Sequence, residues 1–256
     1  MFSPVCDART GTLPSRSVSS CLVFISGASS GIGQALAHTA PWPEARILNI
    51  SRRKASGCEN FLADLADPDS WPEVAALMTH EVSAFEGRRI VFAHSAGSLD
   101  PIGFAGEVEA ASYARQVLLN AAAPQVLGDA FLRAVRGHPA DCTLLMIGSG
   151  AAQSVYEGWS AYCGGKAAVD HWVRTVGVEQ ARRGGCRVLS ISPGIIATAM
   201  QEQIRATEAQ DFPEVERFRQ LHAEGELREP EEVARDLWAA VEGDLATGSV
   251  IDLRDA

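Results

Sequence analysis

Short apolar runs of strand length alternate along this chain with longer segments in which apolar residues recur at helical spacing. Such alternation is typical of βαβ units, whose strands pair in parallel and whose helices cover both faces of the sheet. Seven segments have strand character: Leu22–Ser26, Arg46–Ser51, Asn60–Ala63, Ile90–Ala93, Thr143–Gly148, Arg187–Ser192 and Val250–Leu253. The sequence therefore predicts an α/β fold, with one doubly wound domain built on a seven-stranded parallel sheet.

The domain is expected to occupy residues 21–256. Residues 1–20 are rich in Ser, Thr, Pro and Arg and have no apolar periodicity, so we predict a disordered extension there. A transit peptide is the alternative, which Asp7 and the lack of an amphipathic pattern disfavour. The longest irregular stretch, residues 194–228, follows the sixth strand. Because ligands bind at the carboxyl edge of open α/β sheets, this stretch is the predicted substrate lid.

Charge and apolar content restrict the partners and the compartment. The chain has 256 residues and a formal net charge of −10, and it lacks the clustered Lys and Arg that a nucleic-acid partner requires. No apolar run is long enough to span a bilayer, and the first residues lack the apolar segment of a secretory signal. We therefore expect no nucleic-acid or membrane partner and a cytoplasmic location. Six cysteines without a CxxC pair predict reduced thiols and no metal site.

A glycine-rich turn follows the first predicted strand and opens a helix. Residues 26–33 read Ser-Gly-Ala-Ser-Ser-Gly-Ile-Gly. Such a turn brings backbone N–H groups and a helix N-terminus up to the pyrophosphate of a dinucleotide. An ordinary structural turn is the alternative, which the strand–turn–helix context disfavours. The predicted cofactor contacts here are Gly27, Ser29, Ser30, Gly31, Ile32 and Gly33.

Basic residues stand at the end of the second predicted strand, where an enzyme that prefers NAD has an acidic residue. Ser51, Arg52 and Arg53 are therefore predicted to bind the 2′-phosphate of NADP(H). A solvated basic turn is the alternative. After the third strand, Asp64 and Leu65 are placed to bond and cover the adenine, although Asp64 also suits a helix cap.

Four polar residues are predicted to meet at the carboxyl edge of the sheet. Tyr162 and Lys166 are four residues apart, which places both side chains on one helix face. Ser149 lies just past the fifth strand, and Asn120 is a lone amide in an apolar helical stretch, where it needs a partner. We interpret Tyr162 as the general acid and Ser149 as the donor to the developing oxyanion. Lys166 would support the phenolate and hold the nicotinamide ribose.

The turn after the sixth strand begins with Pro-Gly and offers its backbone and a hydroxyl to a carboxamide such as that of nicotinamide. A plain strand-ending turn is the alternative. The predicted cofactor contacts in this turn are Pro193, Gly194, Ile196 and Thr198. Small and apolar residues near the reacting edge are the predicted substrate pocket: Gly150, Ala151, Tyr156, Trp159, Met200 and Ile204. For Tyr156 and Trp159, simple loop packing is the alternative.

The glycine turn, the Tyr-x-x-x-Lys pair, the upstream Ser and Asn, and the Pro-Gly turn occur in the order of the classical short-chain dehydrogenase/reductase family. The chain resembles this family over residues 21–254. Residues 149–152, 158–163, 174–180 and 218–219 are more narrowly similar to bacterial benzil reductases, relatives of sepiapterin reductase. The resemblance implies a Rossmann domain, an NADP(H) cofactor, an Asn120-held water that links Lys166 to solvent, and a homodimer or homotetramer.

One departure from the family follows the fourth strand. The family has Asn-Asn-Ala-Gly there, and this chain has His-Ser-Ala-Gly at residues 94–97. Ser95, Ala96 and Gly97 are the predicted cofactor contacts, with Ser95 able to replace only part of an amide's bonding. We interpret His94 as a loop residue beside the cofactor. An acid/base role for His94 is the alternative, although Tyr162 already supplies a proton.

The sequence thus predicts an NADPH-dependent carbonyl reductase whose partner is a small carbonyl compound. An aryl vicinal diketone is the predicted substrate, because the predicted pocket is apolar and aromatic and the second carbonyl activates the first. The alternatives among enzymes are reductases of a 3-oxoacyl thioester or of a pterin side chain. Outside that class, the alternatives are a catalytically silent NADP(H) sensor and a structural protein without a cofactor.

Overall fold

All seven predicted strands form in the computed structural model, which describes residues 19–255, and each lies within two residues of its predicted bounds. The strands are β1 (Cys21–Ser26), β2 (Arg46–Ser51), β3 (Glu59–Leu62), β4 (Arg89–His94), β5 (Asp141–Ile147), β6 (Arg187–Ser192) and β7 (Val250–Asp252). They form one parallel sheet in the order β3-β2-β1-β4-β5-β6-β7. The doubly wound α/β fold is confirmed.

Eight α-helices connect the strands: α1 (Gly31–His38), α2 (Trp71–Ser83), α3 (Ala110–Val117), α4 (Ala123–Ala134), α5 (Ser160–Arg183), α6 (Ala199–Ala206), α7 (Val215–Ala223) and α8 (Pro230–Glu242). As predicted, α1 ends before Pro41, because proline cannot continue a helix. The stretch predicted as one apolar helix around Asn120 contains a π-helical segment, Leu118–Ala122, between α3 and α4.

Apolar side chains from the sheet pack in two layers, one on each face. Phe24 and Phe92 point to the face covered by α2, α4 and α5, where they contact Phe131. Ile25 points to the opposite face, in the layer that contains Trp238 of α8. Successive strand residues point to opposite faces, and both faces are covered. The central strands are therefore continuously apolar, as in other parallel sheets.

The predicted N-terminal extension lies almost entirely outside the described residues, which begin at position 19. Ser19 is buried, and its hydroxyl donates to the carbonyl oxygen of Glu44 at 2.8 Å. Within residues 19–255, no helix is both long enough and apolar enough to cross a membrane. The predicted lid contains two helices, α6 and α7, on the carboxyl side of β6.

Candidate active site

A cleft of about 620 Å³ opens at the carboxyl edge of the sheet, beside the ends of β1, β2, β4, β5 and β6. Nearly every predicted site residue lines it: Gly27, Ser29, Ser30, Gly31, Ile32, Ser51, Arg52, Arg53, Asp64, Leu65, Ser95, Ala96, Gly97, Ser149, Gly150, Ala151, Tyr156, Trp159, Tyr162, Lys166, Pro193, Gly194, Ile196, Thr198, Met200 and Ile204. Gly33 and Asn120 lie behind the wall. Residues separated by almost the whole chain therefore meet in one cleft.

The glycine turn between β1 and α1 has the close packing that a backbone cradle for phosphate requires. Gly27 has φ 78°, and a Cβ atom built on it would lie 3.1 Å from Cα of Ala96. A Cβ on Gly33 would collide with the carbonyl oxygen of Gly27. Side chains are thus excluded where the turn and the helix approach each other. The first turn of α1, which starts at Gly31, is left open toward the cleft.

Arg52 and Arg53 lie on the cleft wall at the end of β2. Nη2 of Arg53 donates to Oγ of Ser30 at 3.2 Å, which places this guanidinium beside the glycine turn. Ser51 fixes the local backbone, because its hydroxyl donates to the carbonyl oxygen of Arg53 at 2.6 Å. The two basic side chains therefore stand at the strand end where dinucleotide-binding sheets contact the adenosine ribose.

Asp64 has partners that the sequence did not reveal. Its carboxylate accepts from Nη2 of Arg115 at 2.8 Å and from the backbone N–H of Ala66 at 3.1 Å. Burial raises the pKa of Asp64, but the hydrogen bonds from Arg115 and Ala66 and the positive charges of Arg115 and Arg52 together outweigh it, so the net shift is downward. Leu65 is buried beside it and lines the cleft. Asp64 thus makes a local turn bond and holds Arg115 at the cleft, whereas the cap of the next helical turn, Pro68–Ser70, is Asp67, so the capping alternative for Asp64 was wrong.

Ser149, Tyr162 and Lys166 converge at the centre of the cleft. Nζ of Lys166 donates to the carbonyl oxygen of Ile147 at 2.8 Å and lies 5.7 Å from the ring centroid of Tyr162. Burial lowers the pKa of Lys166 to about 8, while the charge of Asp170 opposes this shift. Burial also raises the pKa of Tyr162, against a bond to Ser149 that lowers it. The Tyr162 phenol is thus protonated at neutral pH, the form that an acid catalyst needs.

Asn120 lies behind the residues that line the cleft and bonds the backbone of the loop after β4. Its Nδ2 donates to the carbonyl oxygen of Ser98 at 2.7 Å, and its Oδ1 accepts from the N–H of Ser98 at 3.1 Å. A Cβ atom built on Gly165 would lie 2.9 Å from Cβ of Asn120. Asn120 therefore also packs against α5, next to Lys166. The partner that a buried amide was predicted to need is therefore the backbone of the loop after β4. The π-helical segment gives Asn120 this position, and such segments are frequent at functional sites.

His94 is the last residue of β4 and not part of the following loop, so its predicted loop position was wrong. Its side chain is 4% exposed and packs edge-on against Phe92, with ring centroids 5.8 Å apart. Neither ring nitrogen has a hydrogen-bond partner among residues 19–255. Burial lowers the pKa of His94 to about 3, which keeps the imidazole neutral. His94 is also absent from the cleft wall, and this disfavours the acid/base alternative.

The side of the cleft that was predicted to hold the substrate is an aromatic cluster formed between the β5–α5 loop and the lid. Trp159 stacks on Phe212, with centroids 4.5 Å apart, and meets Tyr162 edge-on at 5.8 Å. Tyr156 packs on Trp159 at 4.9 Å and on Phe218 of α7 at 6.2 Å. Trp159 and Tyr156 therefore do both things considered from the sequence: they pack the lid, and they line the cleft.

Comparison with known proteins agrees with this geometry. A family model described as short chain dehydrogenase matches residues 22–209. The chain belongs to the short-chain dehydrogenase family. Benzil reductase ((S)-benzoin forming) of Bacillus subtilis (strain 168) is 33% identical, over 91% of this chain and 98% of that protein. Sepiapterin reductase of Rattus norvegicus is 31% identical, over 66% of this chain and 64% of that protein. Among solved structures, a putative NAD(P) dependent gluconate 5-dehydrogenase from Beutenbergia cavernae, solved with NADP bound at low occupancy, superposes with a TM-score of 0.72. The two chains are 24% identical, and the match covers 92% of this chain and 96% of that chain.

Members of the short-chain dehydrogenase family use a nicotinamide cofactor, and the cleft of this member fits one. A turn where added Cβ atoms would collide, a helix N-terminus and a buried lysine lie in the order that phosphates, ribose and nicotinamide require. Sequence reasoning missed several wall residues, among them Leu99, Arg115, Gln116, Phe218 and Arg254. Phe218 was noted from sequence only as part of the benzil-reductase resemblance, and no motif marks the other four. Each of the five comes from a segment that only the fold brings to the cleft.

Proposed function

We propose that this protein is an NADPH-dependent carbonyl reductase that reduces one carbonyl of an aryl vicinal diketone to a hydroxyketone. The observation that carries the proposal is the position of Ser149, Tyr162 and Lys166. They lie between a basic end of the cleft, with Arg52 and Arg53, and an aromatic end under the lid. The similarity to a benzil reductase supports the same substrate class.

The cofactor would lie along the carboxyl edge, with its pyrophosphate on the glycine turn and a 2′-phosphate between Arg52 and Arg53. Two guanidinium groups and no carboxylate at the end of β2 favour NADPH over NADH. Lys166 would bond the hydroxyls of the nicotinamide ribose. Gly194 and Thr198, which line the cleft beyond β6, would contact the nicotinamide.

Bound NADPH would supply a hydride to the carbonyl carbon and would be left as NADP⁺. As this C–H bond forms, the π electrons of the carbonyl move to oxygen, where Oγ of Ser149 and Oη of Tyr162 donate hydrogen bonds. Tyr162 then transfers its proton to that oxygen, which leaves a phenolate and a neutral alcohol. The Lys166 ammonium stabilises this phenolate until solvent returns the proton. The aromatic cluster excludes water and holds the aryl group of the substrate.

The proposal is tested with purified full-length protein by following NADPH consumption with a small carbonyl panel. Benzil and 1-phenyl-1,2-propanedione should have a higher kcat/KM than a 3-oxoacyl thioester or sepiapterin, and NADPH should be preferred over NADH. A clear preference for the thioester or for sepiapterin would overturn the substrate assignment. Quenching of tryptophan fluorescence by NADPH without turnover of any carbonyl would instead favour the sensor alternative.

The assembly is part of the proposal. Val117 of α3, Val126 of α4 and Val178 of α5 are 38%, 42% and 73% exposed. The family resemblance implies that the helices around Asn120 and residues 162–183 pack across a twofold interface. Large exposed apolar side chains on neighbouring helices favour association. We expect a homodimer or homotetramer, and light scattering at micromolar concentration would contradict this if it gave the mass of one chain.

A further inference from the structure

The chain returns to the cleft after β7, and the residue that it brings there is an arginine. The side chain of Arg254 crosses two glycines that border the reacting centre. A Cβ atom on Gly194 would lie 3.4 Å from Cγ of Arg254, and one on Gly150 would lie 3.2 Å from its Nη2. Gly150 directly follows Ser149, and Arg254 itself lines the cleft. The guanidinium is therefore a neighbour of the residue that bonds the reacting oxygen.

Asp252 holds this guanidinium in one orientation. Nε of Arg254 donates to Oδ1 of Asp252 at 2.9 Å, and Nη2 donates to Oδ2 at 2.7 Å. The same carboxylate accepts from the hydroxyl of Ser192 at 2.9 Å, which ties it to the end of β6. A forked pair of this kind fixes both the position and the plane of the guanidinium. Arg254 is thus a preorganised group on a strand end and not a free surface side chain.

The guanidinium of Arg254 still has N–H groups that can donate hydrogen bonds after the bonds to Asp252 are formed. A guanidinium has five N–H groups, and the bonds to Asp252 use two of them. Within residues 19–255, the N–H groups of Nη1 have no acceptor, and the side chain is 53% exposed. An oxygen of a ligand in the cleft can take one of these donors.

The charge around Arg254 indicates which kind of oxygen fits. Asp252 neutralises the guanidinium, and the nearby charge of Asp255 acts on it as well. The charge of the guanidinium itself is therefore offset, and an anionic carboxylate gains little from this donor. A neutral ketone oxygen, in contrast, needs only an N–H group that donates a hydrogen bond and no net positive charge. The aromatic cluster that lines the same cleft suits a substrate without charge.

We propose that Arg254 is a specificity-determining residue that donates a hydrogen bond to the second, non-reacting carbonyl oxygen of a neutral vicinal dicarbonyl. This inference rests on the proposed function, because it assumes that the first oxygen lies between Ser149 and Tyr162. A vicinal dicarbonyl has its second oxygen on the adjacent carbon, on the side of the cleft where Gly150 leaves room for Arg254. The arrangement selects dicarbonyls over simple ketones and over 2-oxo acids.

The test compares two ketones that are both activated toward hydride, only one of which has a second carbonyl oxygen. These are 1-phenyl-1,2-propanedione and 2,2,2-trifluoroacetophenone. Arg254→Ala should lower kcat/KM for the dione by about 10- to 100-fold, the effect of one charged hydrogen bond, and leave the trifluoroketone within about twofold. For Arg254→Lys, kcat/KM for the dione should lie between the values of the wild type and Arg254→Ala. Arg133→Ala, which removes an exposed arginine far along α4, is the control and should change neither value.

A second variant tests the charge argument. Asp252→Asn removes the neutralising charge while the amide oxygen still accepts one bond from Arg254, so kcat/KM for phenylglyoxylate should rise several-fold relative to the dione. Dione binding is also measured without turnover, by tryptophan quenching in a Tyr162→Phe background with NADPH bound. Adding Arg254→Ala there should weaken the dione Kd by the same factor as it lowers kcat/KM.

The outcomes separate this inference from the proposed function. If neither ketone is reduced by the wild-type protein, the proposed function fails, and the quenching experiment still decides whether Arg254 binds the dione. If both ketones are reduced and Arg254→Ala lowers both equally, or weakens NADPH binding, Arg254 has only a structural role and the inference is overturned. An unchanged dione value in Arg254→Ala overturns it as well.

Discussion

The two ends of the cleft are built in different ways. The cofactor end, which consists of the glycine turn and residues 51–53, 64–65 and 95–97, is made of backbone turns directly after strands. The substrate end, which consists of Leu99, Tyr156, Trp159, the lid and Arg254, is made of side chains from separate segments. The position of a turn follows from the strand that precedes it, whereas an aromatic cluster exists only when several loops pack together. We therefore expect substitutions at one end to affect the cofactor or the substrate, but not both.

The largest effect is expected at Tyr162, where the two ends meet. Tyr162→Phe keeps the ring that packs against Trp159 but removes the proton donor, so turnover should fall by roughly 10²- to 10⁴-fold. The Kd for NADPH, measured by tryptophan quenching, should stay within about twofold. Tyr113→Phe, which removes a hydroxyl bonded to Ser160, is the matched control. Near-normal turnover of Tyr162→Phe would mean that another group supplies the proton.

The next effect separates the cofactor end from the substrate end. Replacing both Arg52 and Arg53 with alanine removes the charged partners of a 2′-phosphate and should raise KM for NADPH by roughly 10- to 100-fold. KM for NADH and KM for the diketone should change little, because neither ligand has a group at this place. Steady-state kinetics with both cofactors checks this. An equal rise for NADH would contradict the phosphate assignment, and a rise for the diketone would show that the two ends are coupled.

A smaller effect is expected at the substrate end. Trp159→Ala removes the ring that stacks on Phe212 and should loosen the lid, raising KM for the diketone by up to roughly tenfold. KM for NADPH should be unchanged. Trp159→Phe keeps the stacking and loses only an indole N–H that has no partner among residues 19–255, so it should behave like the wild type. If Trp159→Ala raised both KM values equally, the aromatic cluster would belong to the whole cleft and not to its substrate end.

The contrast also explains which parts of the site could be predicted from sequence. The strands have apolar runs, and the residues that follow them, such as Gly27, Arg52 and Ser149, must lie at the carboxyl edge of a parallel sheet. Phe212, Phe218 and Arg254 carry no such signal, because their positions depend on how residues 194–228 and the C-terminus fold back over the sheet. The partner of Asn120 was missed for a similar reason: a buried amide predicts that a partner exists but does not identify it.

The smallest effect on activity, and a clear one on stability, is expected at His94, where the sequence departs from its family directly before residues 95–97 of the cofactor end. The pKa of His94 falls from an ordinary value of 6.5 to about 3 because the side chain is buried. Between these two values the unfolded chain binds a proton that the folded chain does not. The free energy of unfolding must therefore decrease as pH falls through this window, by up to about 1.4 kcal/mol per pH unit.

His94→Asn introduces the residue that the family has at this position and removes the titrating group. The melting temperature of the wild type, measured by calorimetry, should fall more steeply from pH 6.5 to pH 4.5 than that of His94→Asn, whereas turnover at pH 7 should differ by less than about threefold. His171→Asn, on the exposed side of α5, is the control and should follow the wild type. Parallel curves for wild type and His94→Asn would show that His94 gains a proton in the folded protein. In that case a second ionisable group would lie beside Lys166, next to the cofactor end. Proton transfer would then no longer be confined to Tyr162.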